Sequence, residues 1–154
     1  MADFSLEARF SVSSDAERHS GRLFWRHGSG RDELQLSSPF GQVVAEIQVD
    51  RQRARLVTSD RRVFEALDAQ QLTREVLGYS LPISRLSDWV LGRPAEGGRV
   101  ERDALKRPLR MEEGGWLIDY EYDDAGADAL PGMLVVRRPG GPELRLRIEE
   151  WRAP

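Results

Sequence analysis

The residues of this chain that could do chemistry are few and scattered. His19 and His27 are the only histidines, and there is no cysteine. Neither histidine has the His-x-x-x-His spacing of a metal site, and nothing in the sequence places either beside a serine nucleophile. The lack of cysteine excludes disulfides, thiolate metal sites and a cysteine nucleophile. We therefore interpret both histidines as strand-edge or turn residues and predict no catalytic residue.

Two further polar motifs favour turns over binding sites. Gly28-Ser29-Gly30 lacks the third glycine and the strand-to-helix setting of a dinucleotide or phosphate loop, so it predicts a hairpin turn. Asp123, Asp124 and Asp128 lack the spaced acid-Gly-Glu pattern of a calcium loop and predict a solvated acidic loop. The sequence therefore predicts neither a metal nor a cofactor.

Length and charge set further bounds. At 154 residues, the chain predicts one domain over residues 1–154. The 23 basic and 26 acidic residues give a net charge of −3, which argues against nucleic-acid binding. No apolar stretch is long enough to span a bilayer, and Met1-Ala2-Asp3 lacks the plan of a signal peptide. We expect the chain as given to be soluble and monomeric.

Apolar side chains in unusual places are the more informative feature. Pro39, Phe40 and Gly41 form the tip of a turn where polar residues are expected. Burying the phenylalanine in an acyl-chain environment would gain about 1.5–3 kcal/mol, enough to favour contact with a membrane or an apolar partner. The alternative is that Phe40 folds back on the core of its own chain.

The elements that position these residues follow from periodicity. Apolar and polar residues alternate strictly over 4–13, which predicts a strand with one dry face. Further strands are predicted over 21–27, 33–36, 42–50, 53–59, 116–122, 133–138 and 144–151. The polar stretch 93–114 predicts loops around one or two weak strands.

Two short helices are predicted between these strands. Asp68 and Gln71 have the form of a capping box, and Gly78 would stop the first helix. The second runs over 83–91 and ends at Gly92. The order predicts a mainly β, α+β fold, in which an antiparallel sheet curls into an incomplete barrel with helices on one side.

An unclosed sheet would leave a hydrophobic cavity on its concave face. Alternation assigns ten residues to its lining: Phe10, Leu23, Trp25, Leu36, Ile47, Trp116, Ile118, Val136 and Leu146 from strands, with Trp89 reaching in from the second helix. Such a lining suits a ligand recognised by apolar area, such as an acyl chain, at about 0.8 kcal/mol per buried CH₂.

Several segments together resemble a known family. They are 36–41 (LSSPFG), 78–83 (GYSLPI), 86–94 (LSDWVLGRP), Gly115-Trp116 with Asp119-Tyr120, and a last strand ending at Trp151. In order and spacing they are similar to LolB, the outer-membrane lipoprotein receptor of Gram-negative bacteria. The resemblance runs from about Phe4 to Trp151.

The resemblance implies a half-open barrel that acts as a carrier. Family members take the acyl chains of lipoproteins from the periplasmic carrier LolA and release them into the inner leaflet of the outer membrane. Their protruding loop carries an apolar residue that corresponds to Phe40, although the usual residue there is leucine. The tryptophans of the family correspond to Trp25, Trp89, Trp116 and Trp151.

One departure leaves two interpretations open. Processed family members begin with a lipid-modified cysteine and a tether, which would hold them at the periplasmic face of the outer membrane. Here Met1 is either an expression start that replaces leader and anchor, or the start of an unlipidated relative. Two other functions stay possible for the same half-barrel: an enzyme, which needs polar groups inside the cavity, or an envelope sensor that binds a hydrophobic ligand.

Overall fold

The fold is one antiparallel sheet of eleven strands accompanied by two short helices. A computed structural model describes residues 3–15, 17–77 and 80–152. The strands are β1 (Phe4–Ser13), β2 (Arg18–Gly28), β3 (Arg31–Ser37), β4 (Val43–Val49), β5 (Ala54–Thr58), β6 (Val63–Ala66), β7 (Arg99–Arg102), β8 (Pro108–Glu113), β9 (Trp116–Glu121), β10 (Met133–Arg137) and β11 (Glu143–Arg152). The helices are α1 (Ala69–Leu77) and α2 (Ile83–Trp89).

The sheet is open, because its two edge strands stand at opposite ends of the strand order and do not pair with each other. Its strand order is β6-β5-β4-β3-β2-β1-β11-β10-β9-β8-β7, so β6 and β7 form the edges. The two longest strand pairings, of β1 with β2 and of β1 with β11, lie at the centre of the sheet. This confirms the predicted incomplete, curled barrel.

Because neighbouring strands run antiparallel, the turns lie at the two opposite ends of the strands. The turns that follow β1, β3, β5, β8 and β10 all lie at one set of strand ends, which we call the upper edge and which is distinct from the edge strands β6 and β7. The turn with Phe40 follows β3 and therefore belongs to it. The turns after β2, β4 and β7 lie at the opposite, lower edge.

Both predicted helices form, with small differences at their ends. In α1 the Asp68 carboxylate accepts a hydrogen bond from the Gln71 backbone N–H at 2.8 Å, and Gln71 Oε1 accepts one from the Leu67 N–H at 3.3 Å. This is close to the predicted reciprocal cap. The predicted stop at Gly78 lies outside the described residues.

Helix α2 ends two residues earlier than predicted. Val90 caps it, and Gly92 follows with a φ of +72°. The N–H groups of Gly92 and Arg93 donate to the carbonyls of Trp89 and Asp88, each at 2.9 Å. The left-handed glycine thus turns the chain out of the helix, as the sequence indicated.

The strand predictions differ from the structure at several strands. Strand β2 begins at Arg18 instead of residue 21, β3 begins at Arg31 instead of residue 33, and the four-residue β6 was not predicted. A bulge between β3 and β4 pairs Leu36 with Ala45 but Ser37 with Val43, leaving Val44 as the extra residue. Bulges redirect side chains, and Val44, the extra residue, borders the interior cavity although its side chain is still 43% exposed.

Candidate functional site

A cavity of about 530 Å³ lies between the inner face of β1–β5 and the two helices. Its volume falls in the range of about 300–1,000 Å³ typical of ligand sites. The apolar side chains of its wall come from β1–β5, β11, both helices and the loop before α2: Phe10, Val12, Leu23, Trp25, Leu34, Leu36, Pro39, Val44, Ala45, Ile47, Leu56, Leu72, Val76, Leu81, Ile83, Leu86, Leu144 and Leu146.

Six of the ten residues assigned to the lining by alternation do border this cavity. They are Phe10, Leu23, Trp25, Leu36, Ile47 and Leu146. The other four do not, which corrects that part of the assignment: Trp89, Trp116, Ile118 and Val136 are buried at the other end of the concave face.

Helix α2 is the reason for this difference. The Trp89 ring lies 6.3 Å from the Trp116 ring, and the Tyr120 hydroxyl donates to the Trp89 carbonyl at 2.6 Å. Arg85, one turn earlier, binds Glu113 at the end of β8. These contacts hold α2 against β8 and β9, so the Trp89 indole is buried in that half of the concave face beside Trp116.

Several polar side chains of the cavity wall are engaged by the chain itself, and the exposed Arg18 also borders the cavity. The Thr73 hydroxyl donates to the Gln70 carbonyl at 3.0 Å and accepts from the Leu81 N–H at 2.9 Å. The Ser38 hydroxyl accepts from two backbone N–H groups. His19, at the rim, lies 3.3 Å from the Glu17 carboxylate. Recognition inside the cavity therefore depends on apolar area.

One buried carboxylate holds the tryptophan in the cavity wall. Asp32 Oδ1 accepts from the Trp25 indole N–H at 2.9 Å and lies 2.6 Å from His27 Nδ1. The Phe4 ring packs edge-on against Trp25 and stacks on His27. Sequence analysis missed this group, although Asp32 shares the inward register of Leu34, a signal that a polar residue faces the core.

The Phe40 turn projects from the rim of the cavity. Phe40 is 95% exposed, which excludes the alternative in which it folds back on the core. The Ser38 N–H donates to the Gln42 carbonyl at 2.8 Å, and the Gly41 N–H donates to the Ser38 carbonyl at 2.9 Å. Pro39 borders the cavity, so the turn holds an exposed aromatic ring beside the opening.

Other apolar side chains are exposed near the same edge. Val43 and Val44 follow the turn, and Val63 begins β6; each is between 41% and 48% exposed. In the part of the chain that the structure describes, no helix is both long and apolar enough to cross a membrane. Exposed apolar side chains also lie at the lower edge, Leu67 and Leu105 among them, but Phe40 is the most exposed of those in the described residues.

Comparison with known proteins agrees with this architecture. The family model described as outer membrane lipoprotein LolB matches residues 2–151. The outer-membrane lipoprotein LolB of Dechloromonas aromatica (strain RCB) is 40% identical over 155 residues, covering 97% of this chain and 82% of that protein. The proteins of the same name from Azoarcus sp. (strain BH72) and Thiobacillus denitrificans are each 39% identical, over 97% of this chain and 78% and 80% of their own lengths.

Proposed function

The chain belongs to the outer membrane lipoprotein LolB family, and on that basis we propose that it receives lipoproteins by their acyl chains and delivers them to the inner leaflet of the outer membrane. The observation that carries the proposal is an open apolar cavity with an exposed phenylalanine at its rim. The cavity supplies a site for lipid tails, and the phenylalanine supplies a contact with hydrocarbon.

The walls of the cavity support acyl-chain binding. Each methylene transferred from water into such a wall gains about 0.8 kcal/mol, whatever its position along the chain. A wall with few free polar groups does not fix one ligand orientation. The site therefore accepts tails from lipoproteins whose protein parts differ.

The proposed donor is a periplasmic carrier of the LolA type. A ligand moves spontaneously only toward the site that holds it better. Transfer thus requires that this cavity bind acyl chains more tightly than the donor does, and that the membrane bind them more tightly still. The proposed place of action is the periplasmic face of the outer membrane, and the proposed role is that of a carrier without a catalytic step.

Exchanging Phe40 for glutamate tests the delivery step. The side chain is exposed, so Phe40→Glu leaves folding intact, while its charge opposes entry into hydrocarbon. Losing about 1.5–3 kcal/mol of apolar burial slows delivery roughly tenfold or more. The readout is the transfer of a fluorescent tripalmitoylated lipopeptide from the loaded protein to outer-membrane vesicles.

A matched control places the same charge at the opposite edge of the sheet. Leu105 is an exposed leucine in the turn between β7 and β8, and Leu105→Glu is expected to transfer the lipopeptide at the wild-type rate. Delivery by Phe40→Glu at the rate of Leu105→Glu would contradict the role of the turn.

A further inference from the structure

A second recess opens on the other side of α2 and differs in character from the apolar cavity. This groove has a volume of about 380 Å³ and lies between the two helices, the β8–β9 turn and the loop after β10. Its lining is mainly polar: Gln70, Arg74, Ser80, Pro82, Arg85, Trp89, Glu113, Gly114, Trp116 and Arg138. The acyl-chain function proposed above uses none of the three arginines.

Among the described residues, Arg85 is the only one of these three arginines that pairs with carboxylates. Arg85 donates to both carboxylate oxygens of Glu113, at 2.6 and 3.0 Å, and also pairs with Asp88. Arg74 donates to the Ser80 hydroxyl at 3.0 Å, and Arg138 donates to the Gly114 carbonyl at 3.2 Å. Neither of these two forms an ion pair with a carboxylate of the described residues.

Contacts on either side hold the two unpaired arginines at the groove. The Arg138 guanidinium lies 5.2 Å from the centre of the Trp116 ring, and a guanidinium held against an aromatic face keeps donors free for another partner. Arg74 is tied to Ser80, whose hydroxyl is a further polar group of the lining. Two guanidinium groups with a hydroxyl between helix and sheet suit a phosphate, which accepts several charge-assisted hydrogen bonds.

The position of the groove indicates the source of that phosphate. Arg138 follows β10 and Gly114 lies in the β8–β9 turn, so both belong to the upper edge of the sheet. The Phe40 turn lies at that same edge. A lipid surface that receives the phenylalanine approaches the edge at which Arg138 also lies, and it presents phosphodiesters at the depth of its headgroups.

We propose that the groove with Arg74 and Arg138 binds the phosphodiester of a phospholipid headgroup, giving the protein a polar contact with the membrane beside the apolar contact of Phe40. The inference rests on the proposed delivery to a membrane. Two separate contacts at one edge fix the orientation of the cavity opening relative to the lipid surface, which one apolar side chain cannot do.

Vesicle binding tests the proposal directly. The Arg74→Gln/Arg138→Gln variant is compared with wild type by flotation with vesicles of phosphatidylethanolamine and phosphatidylglycerol. At about 1 kcal/mol per arginine near an anionic surface, the variant is expected to bind roughly 10- to 30-fold more weakly. Within the protein, Arg74→Gln alone breaks only the hydrogen bond to Ser80, and it is expected to lose part of the vesicle affinity. This single variant keeps the test valid if changing Arg138 impairs folding.

The matched control removes the same charge from the lower edge. Arg31 begins β3, Arg51 lies in the β4–β5 turn, and neither forms an ion pair with described residues. Arg31→Gln/Arg51→Gln is expected to bind vesicles far better than the groove variant. Equal losses in the two double variants would overturn the proposal in favour of a general charge effect.

Two further measurements separate the alternatives. Binding of soluble glycerophosphoglycerol as tightly as vesicles would overturn the assignment of the groove to a membrane. The assignment would also be overturned by a groove variant that binds vesicles normally but no longer binds a LolA-type carrier. Uptake of the lipopeptide without vesicles is expected to be unchanged in the groove variants. Failure of the wild type in that uptake assay would refute the acyl-chain function and leave the vesicle result as a separate test of the groove.

Discussion

Glu113 is the residue through which separate segments of the chain are joined. It ends β8, accepts two hydrogen bonds from Arg85 of α2, and accepts a third from the Ala95 backbone N–H at 2.7 Å. Burial by itself raises the pKa of Glu113, but the bonds from Arg85 and Ala95 outweigh burial and lower the pKa to about 2. The carboxylate therefore stays ionised in the folded protein across the physiological range.

This depressed pKa makes stability depend on pH in a defined window. Because the folded protein holds the proton more weakly than the unfolded chain, Glu113 stabilises the fold above pH 4.5, and the contribution is lost as the pH falls toward 2. Glu113→Gln is expected to reduce the free energy of unfolding by about 2 kcal/mol at pH 7, and by much less near pH 2.5. Urea unfolding at the two pH values measures the difference.

Glu112 offers a control of the same type on the adjacent position. It pairs with Arg99 on the surface, with a side chain that is 46% exposed. Glu112→Gln is expected to change the free energy of unfolding by no more than about 0.5 kcal/mol at either pH. A pH-independent effect of Glu113→Gln would show that packing, and not the carboxylate charge, accounts for its stabilisation.

At the scale of elements, the end of α2 decides how the helix meets the sheet. Gly92 adopts a φ of +72°, and a Cβ built on it would lie 2.5 Å from Cγ of Pro108 at the start of β8. Gly92→Ala is therefore expected to lower the free energy of unfolding by about 2–4 kcal/mol, since it combines left-handed strain with a steric overlap. Chemical denaturation followed by tryptophan fluorescence measures the loss.

Gly97→Ala separates the two causes. Gly97 has a φ of +85°, but a Cβ there would meet no atom within 4 Å. Its substitution is expected to cost only the strain, about 1 kcal/mol. Equal losses at the two positions would contradict the close approach between α2 and β8.

Alternation along the chain was sufficient to predict most of these elements. Every second residue of β9 is buried, and in β1 the same alternation holds except at Phe10, which is half-buried on the cavity wall. Strand β6 was missed because four residues are too few to show a period, and its pairing with β5 stabilises it from outside. The bulge at Val44 was also missed, since it depends on the partner strand.

At the scale of the whole molecule, the empty half of the concave face distinguishes this fold from a filled core. Ala45 lies on the cavity wall, and Ala45→Phe directs a ring into the empty space. Displacing about two methylenes of an acyl chain weakens lipopeptide binding roughly tenfold, at about 0.8 kcal/mol each. Stability is expected to be maintained, because the ring fills existing volume.

The control adds the same ring to the other face of that strand. Gln48 is exposed on the outside of β4, and Gln48→Phe is expected to leave binding of the fluorescent lipopeptide unchanged. Fluorescence titration of both variants measures the contrast. Wild-type affinity in Ala45→Phe would mean that acyl chains do not use this cavity.

The sequence by itself determined which side chains face inward and that the Phe40 turn is apolar, because strand alternation and turn composition are local properties. It also carried the family resemblance, which depends on the order of short segments. It did not determine which inward residues border empty space. Trp89 and Trp116 carry the same apolar signal as Trp25, but only Trp25 lines the cavity.

Only the tertiary structure decided that distinction, because it depends on where α2 packs. The contacts of Trp89 with Tyr120, and of Arg85 with Glu113, join residues about 30 positions apart in sequence, and no local pattern reports them. These contacts hold α2 against β8 and β9. The helix covers one half of the concave face there, and the half beneath Phe40 stays open.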